Sequence, residues 1–218
     1  MLTRNKLYER KQPEREAKLI LIFCEGEKRE FQYFNFFSEL NSRLRIEVEP
    51  PTEGNDPIKL YESARKKTEK SENNPNPKYD IQQEDEIWFV IDTDTWKEKI
   101  SELRVACTGL TNRFISQSNP CFEVWLFYHF SDSVPSDKLL VSSKEWKTYL
   151  DSVRPGGFDC RKHPVYIEKA IINAGKNYSE INSVISPGST QVFLLAKKIL
   201  PLVKKEITEM IAKQKLED

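Results

Sequence analysis

The chain has 218 residues, 38% of them hydrophobic and 31% charged, with a formal net charge of +0. This is the composition of one globular domain, or of one domain with a small appended part, and no apolar run approaches the ~18–20 residues of a membrane span. Balanced charge argues against adhesion to nucleic acid by net charge alone, and four dispersed cysteines with only two histidines argue against zinc.

Residues 1–17 are basic and lack an apolar stretch, so they read as a charged leading arm rather than a signal peptide, with a cytoplasmic location as the expectation. "AKLILIFC" follows, a continuous apolar run of the kind found in strands buried on both faces. It ends in "CEGEKREF". From Lys28 to Leu40, apolar residues at Phe31, Phe34, Phe37 and Leu40 predict a helix face. "RIEVEP" alternates as a second strand, and Asp56-Pro57 opens a helix over 57–70, with aspartate as cap and proline in the first turn. The polar stretch 66–86, punctuated by Asn-Pro, reads as a long exposed loop.

"EIWFVIDTDTW" is a third, buried strand ending in Asp92-Thr93-Asp94. A short helix over 97–106, a strand "RFISQS" and an apolar helix from Asn119-Pro120 over 120–130 follow. This alternation predicts an α/β fold with a mostly parallel sheet of about four strands flanked by helices. The remainder reads as helical: Ser142-x-x-Glu145 is a capping box, 165–178 carries apolar residues at helical spacing, and 190–214 is a last helix broken or kinked at Pro201. The chain thus divides into an arm (1–17), an α/β core (18–132) and a helical C-terminal part (133–218).

In a parallel sheet, functional polar groups gather at the carboxyl ends of the strands. Glu25 ends the first strand, and Asp92 and Asp94, on one side of an extended chain, end the third. Clustered carboxylates without histidine suit a hard cation, Mg²⁺ or Mn²⁺, which offsets their mutual repulsion. A solvated acidic turn is the plainer alternative. Gly26 permits close approach of a ligand, Lys28 is a candidate phosphate contact, and Glu27 and Glu30 read as helix N-terminal charges. Glu123 is either a dipole-favoured residue in a first helical turn or a further ligand or general base. His129 reads as a packed histidine. The run "RPGGFDCRKHP", with Gly156-Gly157, reads as a mobile loop offering Arg161, Lys162 and His163 to substrate. No Walker A or GxGxxG pattern is present.

"LILIFCEGEKREFQYF", "IWFVIDTDTW", "ISQSNPCFEVWLFYHF" and "PGSTQVFLLAKKIL" together resemble the RloB (AbiLii-like) family in order and spacing. The resemblance implies a Toprim-like fold, in which a glutamate after the first strand and an Asp-x-Asp after a later one hold Mg²⁺. Glu25 matches that glutamate, which also serves in proton transfer, and Asp92 and Asp94 match the pair. Where the family usually has Thr-Glu-Pro after "EGEK", this chain has Arg29-Glu30-Phe31. The resemblance further implies a place in bacterial anti-phage or abortive-infection systems, beside an ABC-type or AAA-type ATPase.

The expectation is therefore a metal-dependent nuclease effector acting on DNA or RNA, tRNA included. A non-catalytic module docking on the partner ATPase is the rival reading. Nucleotidyl transfer on the primase pattern ranks last.

Overall fold

The computed structural model describes residues 17–38, 40–52, 54–93, 96–135 and 142–217, with side chains as far as residue 213. Asp94 and the arm before Ala17 lie outside the described residues.

Four strands form one sheet: β1 (Lys18–Cys24), β2 (Leu44–Glu49), β3 (Glu86–Asp92) and β4 (Arg113–Ser118). Their order is β2-β1-β3-β4 and every pairing is parallel. The central strands β1 and β3 are the two most continuous apolar runs because each must satisfy a core on both sides. Along β1, Ile20, Ile22 and Cys24 enter one core while Leu19, Leu21 and Phe23 enter the other. Among the described residues seven α-helices cover the sheet: α1 (Arg29–Ser38), α2 (Pro57–Thr68), α3 (Lys97–Cys107), the short α4 (Glu123–Phe127), α5 (Ser143–Val153), α6 (Ile167–Asn177) and α7 (Val192–Glu217). Helices α2 and α3 pack on one face; α1 and α4 to α7 share the core on the other. Among the described residues no helix is long and apolar enough to cross a membrane.

Both predicted caps form. Asp56 accepts from the N–H groups of Ile58 (3.1 Å) and Lys59 (3.2 Å) at the start of α2, and Ser142 and Glu145 close the reciprocal capping box of α5. Asp56 is buried and also meets Lys99 at 3.2 Å. Asp56→Ala is expected to lower stability by about 1–2 kcal/mol, read as a lower midpoint in urea unfolding with an unchanged slope.

Several expectations change. Helix α1 turns Glu30, Tyr33, Phe34 and Phe37 inward and leaves Phe31 36% exposed, so its buried face is offset from the predicted one. Two neighbouring aromatic positions, Tyr33 and Phe34, fill the core against Phe122 and Trp125, and that contact outweighs the three-residue spacing. The polar stretch before β3 is anchored rather than wholly exposed. Tyr79 is buried with its hydroxyl on Glu49, and the Asp85 carboxylate accepts the Leu19 N–H at 2.8 Å. The apolar segment after Asn119-Pro120, a cis bond, is helical only over Glu123–Phe127 and continues as turns. Helix α7 runs through Pro201 without interruption, held by Leu195, Ala196, Ile199, Val203 and Ile207 in the core. The C-terminal part is not wholly helical: a hairpin of β5 (Glu180–Ile181) and β6 (Val184–Ile185) turns at Asn182 and Ser183, both with positive φ.

Candidate functional site

After β1 the chain builds β2 on one side, then crosses back to place β3 on the other. That reversal leaves a crevice above the carboxyl ends of β1 and β3, the place where open α/β sheets hold ligands. Glu25 follows the last residue of β1, and Asp92 is the last residue of β3. Two of the acids singled out by sequence therefore flank the switch point of the sheet.

They are joined directly. The Glu25 N–H donates to Val90 O (3.1 Å), extending the β1–β3 ladder by one residue. Its carboxylate then accepts the Asp92 N–H at 3.0 Å on Oε2 and the Trp96 indole N–H at 2.7 Å on Oε1. Glu25 thus fixes the path of the chain at the end of β3. Beside it a cleft of about 550 Å³ opens over the ends of β1 and β2, lined by Glu25, Gly26, Lys28, Thr52 and Asn55 among others. Lys28 is exposed on its rim.

A second group of acids lies toward the α1 face. Glu30, expected as an ordinary charge of the first helical turn, is only 6% exposed. Burial pushes its carboxyl up to about 7, and the negative charges of Glu123 and Glu25 add to the effect. A Cβ at Gly26 would lie 2.1 Å from Glu30 Oε2, so the space that glycine leaves open is taken by this carboxyl. Glu123, at the start of α4, is 12% exposed at its side chain and meets Lys147 at 3.8 Å. Cys121 is buried between these groups; desolvation, then the charges of Glu123 and Asp92, raise its thiol far above the usual range. The sequence carried no signal for Glu30 beyond its type, because an acid in a first helical turn is commonplace.

The fit to a metal ion is one of chemistry. Glu25 and Asp92 supply hard oxygens, and the charges of Glu123 and Glu25 add to the burial that destabilises the neighbouring Glu30 carboxylate. Among the described residues no three Asp, Glu, His or Cys side chains are arranged to hold an ion.

The basic loop before α6 lies against the start of α1, where Arg29 donates to Phe158 O at 3.3 Å. It is pinned rather than loose. Phe158 is buried, and the Asp159 N–H donates to His163 Nδ1 at 2.8 Å. His163 is 6% exposed and packs edge-on against Phe130, so it faces the core and not the surface. Arg161 is exposed but forms a two-bond pair with Asp159, at 3.0 Å for each nitrogen; Lys162 is exposed. His129 is a packed histidine held neutral by burial, which lowers it to about 3; its ring nitrogens meet the Tyr33 hydroxyl and Trp125 O, each at 3.1 Å.

A family model described as RloB-like protein matches residues 20–199, a span that runs from β1 into α7 and includes every residue named in this subsection. No curated protein and no solved structure matches the chain. With 180 of its 218 residues inside that match (199 − 20 + 1), the chain belongs to the RloB-like family.

Proposed function

We propose that the protein is a metal-dependent phosphodiesterase of Toprim-like type, the nuclease effector of a bacterial anti-phage system, acting on DNA or RNA. The observation that carries this reading is the placement of Glu25 and Asp92 on the two strands flanking the switch point, joined by a 3.0 Å hydrogen bond. Asp94, two residues on, completes the acidic set that the family resemblance implies. Glu25, Asp92 and Asp94 would hold Mg²⁺ or Mn²⁺, which would supply Lewis-acid chemistry to phosphodiester hydrolysis.

The chain's own groups divide the remaining work. Glu25 holds the Asp92 backbone and Trp96 in register, so the acids are oriented before substrate arrives. Lys28, on the rim of the cleft, offers a charge to a phosphate oxygen. Glu30, held up to about 7 by burial, is the group beside these acids suited to exchanging a proton near neutral pH. An ATPase of ABC or AAA type is the proposed partner; it supplies the nucleotide-driven step for which this sequence has no Walker A pattern.

The test is cleavage of plasmid, single-stranded DNA and total tRNA in Mg²⁺ or Mn²⁺. Asp92→Ala combined with Asp94→Ala is expected to reduce cleavage to background, a loss on the order of a thousandfold or more. Cleavage that survives the double substitution rules the mechanism out.

One observation favours the rival reading of a non-catalytic docking module. Both Glu25 oxygens already accept N–H donors, a role that structure alone would justify. Calorimetry with Mn²⁺ separates the two: heat of binding that disappears in Asp92→Ala supports the nuclease, and no binding at millimolar metal supports the module.

A further inference from the structure

Arg104 of α3 is half-buried and its charge has no carboxylate partner among the described residues. Its guanidinium donates to a neutral amide, Gln117 Oε1, at 2.7 Å. Gln117 in turn donates from Nε2 to Thr93 Oγ1 at 2.8 Å, and the Thr93 hydroxyl donates to Ser118 O at 2.7 Å. This chain of bonds fixes the guanidinium relative to the residue that follows Asp92. Gln117 accepts from one amino group, and an arginine has five N–H donors, so most of its donors are not used on Gln117.

Arg104 borders a pocket of about 750 Å³ between α3, the end of β4 and the β5–β6 hairpin. Its wall carries two cations, Arg104 and Lys97, and no carboxylate. Thr93, Ser101 and Asn119 add hydroxyl and amide groups, while Ile181 and Val184, 67% and 66% exposed, give the hairpin side an apolar lip. Thr93 belongs to the wall of this pocket, whereas its neighbour Asp92 points to the opposite face of the sheet, so the pocket and the strand-end acids are separated by one residue of backbone.

We infer that this pocket is an anion subsite, built to hold a backbone phosphate of a polynucleotide strand next to the acidic site. The choice of a polynucleotide rests on the nuclease reading; the preference for an anion rests on the pocket alone. A fixed arginine without a counter-ion favours phosphate by charge and by its forked donors. The apolar lip suits the sugar or base attached to that phosphate.

Fluorescence anisotropy with a labelled single strand, in EDTA so that nothing is cleaved, tests the subsite. Arg104→Gln is expected to weaken binding by about tenfold at low salt and to reduce the slope of log K against log salt by roughly one phosphate contact. Lys97→Gln, at an exposed position whose side chain makes no hydrogen bond among the described residues, guards against misfolding of the first variant and is expected to act in the same direction. Inorganic phosphate as competitor distinguishes a site for the free anion from one for the strand: a strand site is displaced only weakly by millimolar phosphate, and displacement at micromolar phosphate overturns the assignment to a strand. Binding and salt slope unchanged in both variants overturn the subsite, and leave the nuclease reading standing if Asp92→Ala still abolishes cleavage. Arg104-dependent binding by a chain that cleaves nothing leaves the subsite standing and removes the nuclease reading.

Discussion

Replacing Glu25 by alanine is expected to cost about 1–3 kcal/mol of stability and, on the proposed chemistry, to reduce cleavage to background. The stability loss follows from two N–H donors, the Asp92 amide and the Trp96 indole, that lose their acceptor at once. Glu25→Gln separates the two roles. A glutamine offers one acceptor oxygen where the carboxylate offers two, so one donor remains bonded and the other faces an amide N–H. Its stability therefore falls between wild type and Glu25→Ala. Its activity does not, because a neutral amide is a poor ligand for a hard cation. Thermal unfolding with and without Mn²⁺ provides the check. Wild type is expected to gain midpoint temperature with metal and both variants to gain none. A metal-induced shift that persists in Glu25→Gln would assign Glu25 a purely structural role and move the ion elsewhere.

The parts of this fold that sequence reveals are those in which one constraint acts alone. β1 and β3 are buried on both faces, so nearly every residue from Leu19 to Cys24 and from Ile87 to Ile91 is apolar and the strands are unmistakable. The same burial makes the first polar residue after each apolar run conspicuous, which is why Glu25 and Asp92 stand out. Where two constraints compete, the pattern misleads. In α1 the apolar residues Phe31, Tyr33, Phe34, Phe36 and Phe37 exceed one helical face, and only tertiary packing decides that Phe31 faces out and Glu30 in. In the basic loop, Gly156 and Gly157 have positive φ, at 86° and 75°, which a mobile segment and a tight turn both require of glycine. Burial of Phe158 and His163 selects the turn. The Arg104 pocket is assembled from residues of α3, β4 and a hairpin more than sixty positions beyond β4, and no local pattern announces such a juxtaposition.

Glu30 gives the prediction that follows most directly from the packing. Its carboxyl, at about 7 in the folded protein against 4.5 for an unperturbed glutamate, binds a proton more tightly in the folded state than in the unfolded one. A raised carboxyl of this kind costs nothing below about pH 4.5, where both states are protonated. The cost grows as pH rises from 4.5 to 7 and is complete above 7, where it amounts to about 3 kcal/mol. Glu30→Gln keeps the shape that fills the space beside Gly26 and removes the charge. In metal-free buffer it is therefore expected to match wild type at pH 4.5 and to exceed it by up to about 3 kcal/mol at pH 8, read from urea midpoints at the two pH values. Gly26→Ala acts on the same contact from the other side. Its methyl group, placed 2.1 Å from Glu30 Oε2, forces the carboxyl out of its pocket and toward water. The pH dependence is then expected to flatten while overall stability drops, because the charge regains solvent and the packing is lost. A Glu30→Gln variant with the same pH profile as wild type would show that Glu30 is already neutralised by a cation or an ion pair, and would end the case for a strained carboxyl beside the strand-end acids.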